Sequence, residues 1–539
     1  MRKTLLKGAL GTALQNTVEK RLKTVDYDQL VEVFAKRSEN DGAWRCEFWG
    51  KIVRSAITAC FYTQDAELRK MIDKTVQDMM STQTADGCIS SYPTEKQLSC
   101  WDIWGRKYVL LALIRYYEML NKDPKVLECC CKMVDHLMTQ VGEDKSDIRT
   151  CGFHGGLAPA SILGAIVSLW RLTNEKKYRS FAEYIIGTGC SNEGDIFESV
   201  IAGVMPSALG NGKAYEMTSC FQGLAELLQI DFDSHRKAIV DTYYEKVRDR
   251  EIFVTGVGGL KDQWGEFWYD GAFRQTRGDC GGLGETCVTA TWIRYCMRML
   301  QLNDDPTIAD ELEKSLYNGI LGSIAPDNSH WIHINPTPLT GGGYKDCAED
   351  QIGRIFGTPF GGNDCCRAQG PEGLSVAPVI AVIEKGDKLF LNCFEALESE
   401  NLVVTGNYPF EPKATVKFNV SEKVILCIRT PEFLKEVKLN GEVMNFTCGK
   451  YLEIEKIWSP DDKLELTFDF TLKEIIAPGV PEYVAIKRGP LVLASDSRDD
   501  VPNAQVRELW NGKKLYEYSA CGYEMSENNS LTVWHKITK

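Results

Sequence analysis

Cys365 and Cys366 stand side by side after the turn-forming run Gly361-Gly362-Asn363-Asp364, and Glu285-Thr286-Cys287 lies upstream. Three thiols and one carboxylate are a soft donor set that favours zinc and would complete a tetrahedron. Adjacent cysteines bond each other only with strain, yet both can turn toward one ion. The spacing is not that of a CxxC pair, so the residues alone also admit ordinary buried thiols.

Two kinds of element must carry these groups. In the first part of the chain, helical hairpins with polar breaks recur: 55–80 around Gln64-Asp65, 108–138 around 121–124, 162–186 around Asn174-Glu175, 220–247 around 231–234, and 291–317 around 303–306. The breaks fall at roughly 50–70 residues, longer than the ~34-residue period of a common helical-repeat array. Between hairpins lie Gly-rich, aromatic inserts at 82–104, 151–157, 206–215, 257–285 and 329–373. Long loops on a helical scaffold carry function, and a closed toroid of hairpins would gather them at one mouth. From about residue 386 the hydrophobic period becomes two, with Asn-Gly and Pro-Asp turns, which predicts an antiparallel β-sandwich. The expected division is a helical domain over 1–385 and sandwich material over 386–539. Beyond 498 only a strand near 531–534 is legible.

Composition narrows the partners. The chain has 539 residues, 44% hydrophobic and 25% charged, as in a soluble globular protein with ample core. A net charge of −13 and a pI of about 5.2 speak against nucleic acid and anionic membranes as partners. The 20 cysteines are scattered, and Cys129-Cys130-Cys131 falls in a helical pattern that points neighbours apart, so no disulfide framework is expected. Lys7 interrupts the short apolar stretch after Met1-Arg2-Lys3. Neither a signal segment nor a membrane span is expected there, and the implied compartment is the reducing cytoplasm.

The ordered set Gly265-Glu266-Phe267, Glu285-Thr286-Cys287, 313–318 (Glu-Lys-Ser-Leu-Tyr-Asn), Asn335-Pro336 and Cys365-Cys366 with Gly370-Pro371 resembles glycoside hydrolase family 127 and its relatives, the β-L-arabinofuranosidase-like proteins, over most of the chain. The resemblance implies an (α/α)6 barrel followed by a β-sandwich, with a sixth hairpin completed by a helix around 27–36. It implies zinc held by Glu285, Cys287, Cys365 and Cys366, with Cys365 as nucleophile and Glu266 as general acid/base. It further places Glu313 where the family has a sugar-binding carboxylate and His333 where relatives often carry tyrosine.

The residues make that chemistry coherent. A free thiol is mostly protonated at neutral pH, whereas coordination holds it as thiolate at some cost in nucleophilicity. Glu266 stands among Trp264, Phe267, Trp268 and Tyr269, surroundings that favour a protonated carboxyl by desolvation. A thiolate attacking one face of the anomeric carbon, with an acid on the leaving-group side, gives net retention. His154, Lys213 and Tyr215 are further candidate substrate contacts. Trp101, Asp102 and Trp104 offer a stacking platform with a polar group, and aromatic core packing is the alternative. Where family members place histidines, this chain has Arg106, Lys107 and Lys213, which suit an acidic substrate unless each pairs with a neighbouring acid. The expected substrate is a small glycoside cleaved at its terminal residue. A metal-independent uronide hydrolase or epimerase on the same barrel, and a zinc-stapled sugar-binding protein without turnover, stay open at this level.

Overall fold

The computed structural model describes residues 4–39, 42–259, 266–276, 283–325, 327–336, 363–419, 421, 423–498, 500–521 and 531–537. Trp264, Gly265, Gly361 and Gly362 lie outside them. The scaffold helices are α1 (Ala9–Thr17), α2 (Tyr27–Lys36), α3 (Phe48–Thr63), α4 (Ala66–Ser81), α5 (Asp102–Met119), α6 (Pro124–Gln140), α7 (Leu163–Thr173), α8 (Lys176–Gly187), α9 (Ala214–Leu228), α10 (Ser234–Arg250), α11 (Thr286–Leu302), α12 (Pro306–Lys314) and α13 (Cys365–Ser375).

Alternate helices form a closed inner ring: α3 packs on α5, then α7, α9, α11 and α13 follow in turn, and α13 returns to α3. These inner helices are buried on nearly every face; every residue of α9 is buried. The outer helices bury only one stripe, as α4 does with Leu68, Ile72, Thr75, Val76 and Met79. This is the (α/α)6 barrel. Four of its hairpin breaks are set by an aspartate whose side chain accepts from a backbone N–H of the following helix: Asp65 from Leu68, Asp123 from Lys125, Asp233 from Arg236 and Asp305 from Thr307.

The sixth pair differs from expectation. Its inner member is α13, inside the stretch read as loop, and its outer member is α1 with the π-turn Val18–Leu22, which packs against α3; α2 lies instead against α4. Gly370-Pro371 hid α13. A proline in a helix leaves the carbonyl four residues back without its donor, and here Arg21 Nη2 donates to Arg367 O over 3.4 Å. Gly370 is required because a Cβ there would sit 2.4 Å from the Trp331 indole.

The β region has three main sheets. The first runs Leu5–Leu6, Leu397–Glu398, Leu402–Thr405, Lys413–Phe418, Lys463–Phe468, Leu434–Leu439, Glu442–Val443, so the N-terminal strand joins the sandwich. The second runs Tyr451–Ile457, Lys423–Arg429, Lys388–Leu391, Val382–Lys385. All pairs are antiparallel except Lys388–Leu391 with Lys423–Arg429. The third sheet, built from Leu472–Ala477 onward, includes the expected strand at Leu531–Thr532 and, beyond what the sequence pattern offers after 498, strands Arg507–Trp510, Lys513–Glu517 and His535–Lys536. It is tied to the barrel by Asn318, whose Nδ2 donates to Pro490 O (3.1 Å) and whose Oδ1 accepts from Val492 N (2.8 Å).

Barrel and sandwich meet at a buried ion cluster that corrects the reading of Glu313. Arg429 donates from Nη2 to Glu313 Oε1 (2.5 Å) and from Nη1 to Glu313 Oε2 (3.0 Å) and Asp310 Oδ1 (2.5 Å), while Tyr408 OH donates to Glu313 Oε1 (2.6 Å). Both oxygens of Glu313 are thus committed to the sandwich: it is neither a sugar ligand nor a surface glutamate. Arg429→Met leaves two carboxylates in the interface without a counter-charge. We expect a loss of about 3–5 kcal/mol in denaturant unfolding, with kcat of the surviving folded fraction unchanged.

Candidate active site

The inner helices run in one direction, and their first residues gather at one mouth. The N-cap positions are Glu47 (α3), Trp101 (α5), Lys213 (α9), Glu285 (α11) and Asp364 (α13). Helix N-termini carry partial positive charge and unpaired N–H groups, a contribution in favour of thiolate and carboxylate that works against their burial at this mouth. Cys365 and Cys366 are the first two residues of α13, with Asp364 Oδ1 accepting from Arg367 N (2.8 Å); they do not sit in a tight turn.

A short ladder delivers Glu285. Strand Leu283–Glu285 pairs with Ile334–Pro336, and Thr286 N donates to His333 O (3.1 Å). Thr286 Oγ1 lies 2.8 Å from Ile332 O and 2.9 Å from Asn335 Oδ1, which explains why Glu-Thr-Cys and Asn-Pro occur as a set. The acceptor and thiol atoms of Glu285, Cys287, Cys365 and Cys366 then lie within 4.8 Å of one another. Glu285 Oε1 is 3.5 Å from Cys366 Sγ and 3.9 Å from Cys365 Sγ, and the two thiols are 3.9 Å apart.

The donor set fits a soft divalent metal. The described cysteines are free thiols, and Glu285 Oε2 is buried without a hydrogen-bond partner among the described residues. A second overlapping set, His333, Asp364, Cys365 and Cys366, lies within the same limit. In it His333 Nε2 sits 3.3 Å from Glu285 Oε1 and Nδ1 3.9 Å from Cys365 Sγ. Burial alone would make this imidazole harder to protonate, but the charges of Glu285 and Cys365 outweigh it and push its pKa to about 10. His333 therefore meets the same Glu285 oxygen that faces the thiols and helps to fix that carboxylate's orientation.

The three thiols are not equivalent. Burial pushes Cys287 and Cys366 up, whereas hydrogen bonding with the Cys287 and Cys366 thiols, aided by His333 and opposed by burial, holds Cys365 well below the ordinary thiol range. Cys287 and Cys366 are fully enclosed; Cys365 alone is partly open to solvent.

Glu266 is placed by a second local pairing. Ala214 N donates to Glu266 O (2.7 Å) and Trp268 N to Gly212 O (2.9 Å), which lays 266–268 across the start of α9. Lys213 Nζ is 2.6 Å from Glu266 Oε2 and 4.0 Å from Glu216 Oε2. Burial opposes the ammonium, but Glu216 and Glu266 together hold Lys213 protonated. Glu216 is buried, its Oε2 without a hydrogen-bond partner among the described residues, and burial, with Glu266 adding to it against Lys213, lifts its carboxyl to about 7. His154 Nε2 stands 3.9 Å from Glu216 Oε1; burial and then Lys213 lower it to about 3, so the ring is neutral.

The aromatic candidates separate. Trp104 and Tyr215 pack with Tyr108, Ala158, Cys287 and Cys366 in one enclosed cluster; Tyr215 OH bonds Tyr108 OH, and Trp104 Nε1 donates to Glu47. They wall the thiols from behind and are not a stacking surface. Trp101 is only half-buried and forms a rim with Phe153, His154 and, beyond it, Phe267. Asp102 is also corrected: its carboxylate takes Arg106 Nη2 (2.7 Å) and Nε (3.0 Å) and Leu98 N (2.8 Å). Lys107 is buried, donating to Ser161 Oγ (3.0 Å) with its ammonium 3.9 Å from the Trp104 ring centroid. Neither cation, nor Lys213, is free to meet an acidic substrate.

Glu47 and Lys51, 2.8 Å apart behind the thiols, were not singled out from sequence. The available signal was a lysine and an arginine, Lys51 and Arg54, in the otherwise apolar run of α3.

Comparison with known proteins agrees with this architecture. The family model described as "Beta-L-arabinofuranosidase, GH127 catalytic domain" matches residues 7–378, and the GH127 middle-domain model matches 388–470. A curated relative, the non-reducing end β-L-arabinofuranosidase of Bifidobacterium longum subsp. longum, is 23% identical over 531 residues, covering 86% of this chain and 76% of its own. Among solved structures, a GH127 β-L-arabinofuranosidase from Geobacillus stearothermophilus T6 superposes with a TM-score of 0.78 at 18% identity, covering 99% of this chain and 100% of that one. A second GH127 β-arabinofuranosidase gives a TM-score of 0.77 at 17% identity over 99% of this chain and 97% of that one. With the catalytic-domain model spanning the barrel and the thiol cluster at its mouth, the chain belongs to glycoside hydrolase family 127 and is a glycoside hydrolase.

Proposed function

We propose that the protein is a retaining, exo-acting glycosidase that removes a terminal β-L-arabinofuranosyl-like sugar from small glycosides in the cytoplasm, with Cys365 as nucleophile and Glu266 as general acid/base. The observation that carries this reading is the asymmetry of the thiols: Cys365 is both the one open to solvent and the one drawn toward thiolate. The matched relatives are named for action on this sugar, which supports the substrate class.

In the first step the Cys365 sulfur bonds C1 as the C1–O bond breaks, and Glu266 passes its proton to the departing oxygen. In the second, Glu266 takes a proton from water, the water oxygen bonds C1 from the opposite side, and the C1–S bond returns its electrons to the thiolate. Two inversions give retention. Glu285, Cys287, Cys365 and Cys366 would hold zinc, which would keep the sulfur deprotonated at neutral pH.

Glu266 must carry a proton at the start although Lys213 lies against it. Two carboxylates, Glu216 and Glu266, face one ammonium, and a buried site favours neutrality. Burial lifts the Glu216 carboxyl to about 7, so the site holds a proton beside Glu266 near neutral pH. His154, neutral beside Glu216, and Trp101 at the rim are positioned to contact the sugar.

The test is metal analysis of the purified protein with hydrolysis of an aryl furanoside and pyranoside panel. We expect one zinc per chain, preference for the β-L-arabinofuranoside, and activity lost on chelation and restored by zinc. Metal-free protein that turns over at the same rate would refute the zinc-thiolate reading.

A further inference from the structure

Midway along the barrel axis, beneath the thiol cluster, the inner helices bury an excess of positive charge. Arg54 of α3 and Arg294 of α11 approach the same oxygen of Glu372 of α13, with Nε to Oε1 distances of 3.1 and 3.6 Å. Arg115 of α5 reaches both oxygens of that carboxylate from Nη1, at 2.9 and 2.8 Å. Three guanidiniums therefore share one carboxylate. Arg54 and Arg294 are 1% and 3% exposed.

Their hydrogen-bonding capacity is unspent. All three Arg54 nitrogens, Arg294 Nη1 and both amide atoms of Gln369 are buried without a hydrogen-bond partner among the described residues. A guanidinium has five N–H donors and no acceptor. Burying N–H donors of a charged group without acceptors is unfavourable even when the charge has an ion-pair partner. Water would satisfy the N–H groups but leave the charge excess; an anion answers both. The potential is felt nearby: Lys107 is pushed well below the usual lysine range, first by burial and then by Arg294 and Arg54.

A cavity of about 350 Å³ lies at the other end of the barrel, between the C-terminal halves of the inner helices; it is lined by Arg115, Arg171, Glu226, Arg298 and Glu372 among others, and so reaches the carboxylate that Arg54 and Arg294 share but not those two side chains themselves. There Arg171 pairs with Glu118 (2.5 Å) and Arg298 with Glu226 (2.9 Å), so the uncompensated charge is confined to the cluster above.

We propose that Arg54 and Arg294 bind a small monovalent inorganic anion, of the chloride type, inside the barrel and separate from the sugar site. Full-length protein would be melted in sodium chloride against sodium gluconate at constant ionic strength, and crystals soaked in sodium bromide would be measured at the bromine edge. The expected result is a saturating rise in Tm with chloride, absent in Arg54→Met, and one anomalous peak within hydrogen-bond reach of Arg54 and Arg294. If Arg54→Met does not fold, the wild-type bromide map still decides. A Tm independent of chloride, with no bromide peak in the barrel, overturns the proposal and assigns the space to water.

Discussion

Cys365→Ser is expected to lower kcat by about 10⁴-fold or more, the scale seen when a covalent nucleophile is removed. A serine hydroxyl keeps the shape but not the chemistry: it is a harder, far less acidic group, and nothing in the site supplies a base for it comparable to the three partners that draw Cys365 toward thiolate. Cys366→Ser provides the comparison. Cys366 is enclosed and its thiol is pushed up by burial, so its loss should weaken metal retention, and activity should recover in part at high zinc. No zinc concentration should rescue Cys365→Ser. Acid-quenched wild type, taken during turnover of a substrate with a good leaving group, should carry one added glycosyl residue on the peptide containing Cys365. A Cys365→Ser enzyme with wild-type kcat, or a label on another residue, rules out this nucleophile.

The parts of this architecture legible in sequence are those encoded locally. Hairpin breaks at Asp65, Asp123, Asp233 and Asp305 could be read because each aspartate caps the helix it precedes. The thiol set could be read from residue type alone, since few environments call for three cysteines and a glutamate. What was misread depends on distant partners. Glu313 looks like an exposed helical carboxylate until Arg429, 116 residues away, arrives from the sandwich. Helix α13 looks like loop because its proline and glycine are paid for by Arg21 and Trp331, which the pattern around 365–375 does not contain. Asp102 and Arg106 were a readable i,i+4 pair, and reading them separately produced the unsupported polar contact and acidic-substrate cation.

Glu266→Gln tests the other half of the chemistry. We expect kcat to fall by about 10²–10⁴-fold for sugars with alkyl leaving groups, the usual worth of general acid catalysis. The loss should be far smaller in the first step with a nitrophenyl leaving group, which departs without a proton. The enzyme should then stall as the glycosylated form, because water also needs Glu266, and azide should restore turnover by attacking without a base and yield the azide of retained configuration. Lys213→Met separates catalysis from positioning. Its ammonium lies 2.6 Å from Glu266 and 4.0 Å from Glu216, whose carboxyl it holds down against burial. With that charge removed, the Glu216 carboxyl rises further, so a limb of the kcat/KM profile that reports the proton held at this site should move upward. If Lys213 only fixed the loop over α9, its loss would lower the rate equally at every pH. If Glu266→Gln leaves alkyl and nitrophenyl substrates equally impaired and azide without effect, the acid/base must be sought elsewhere at the mouth, beginning with Glu216.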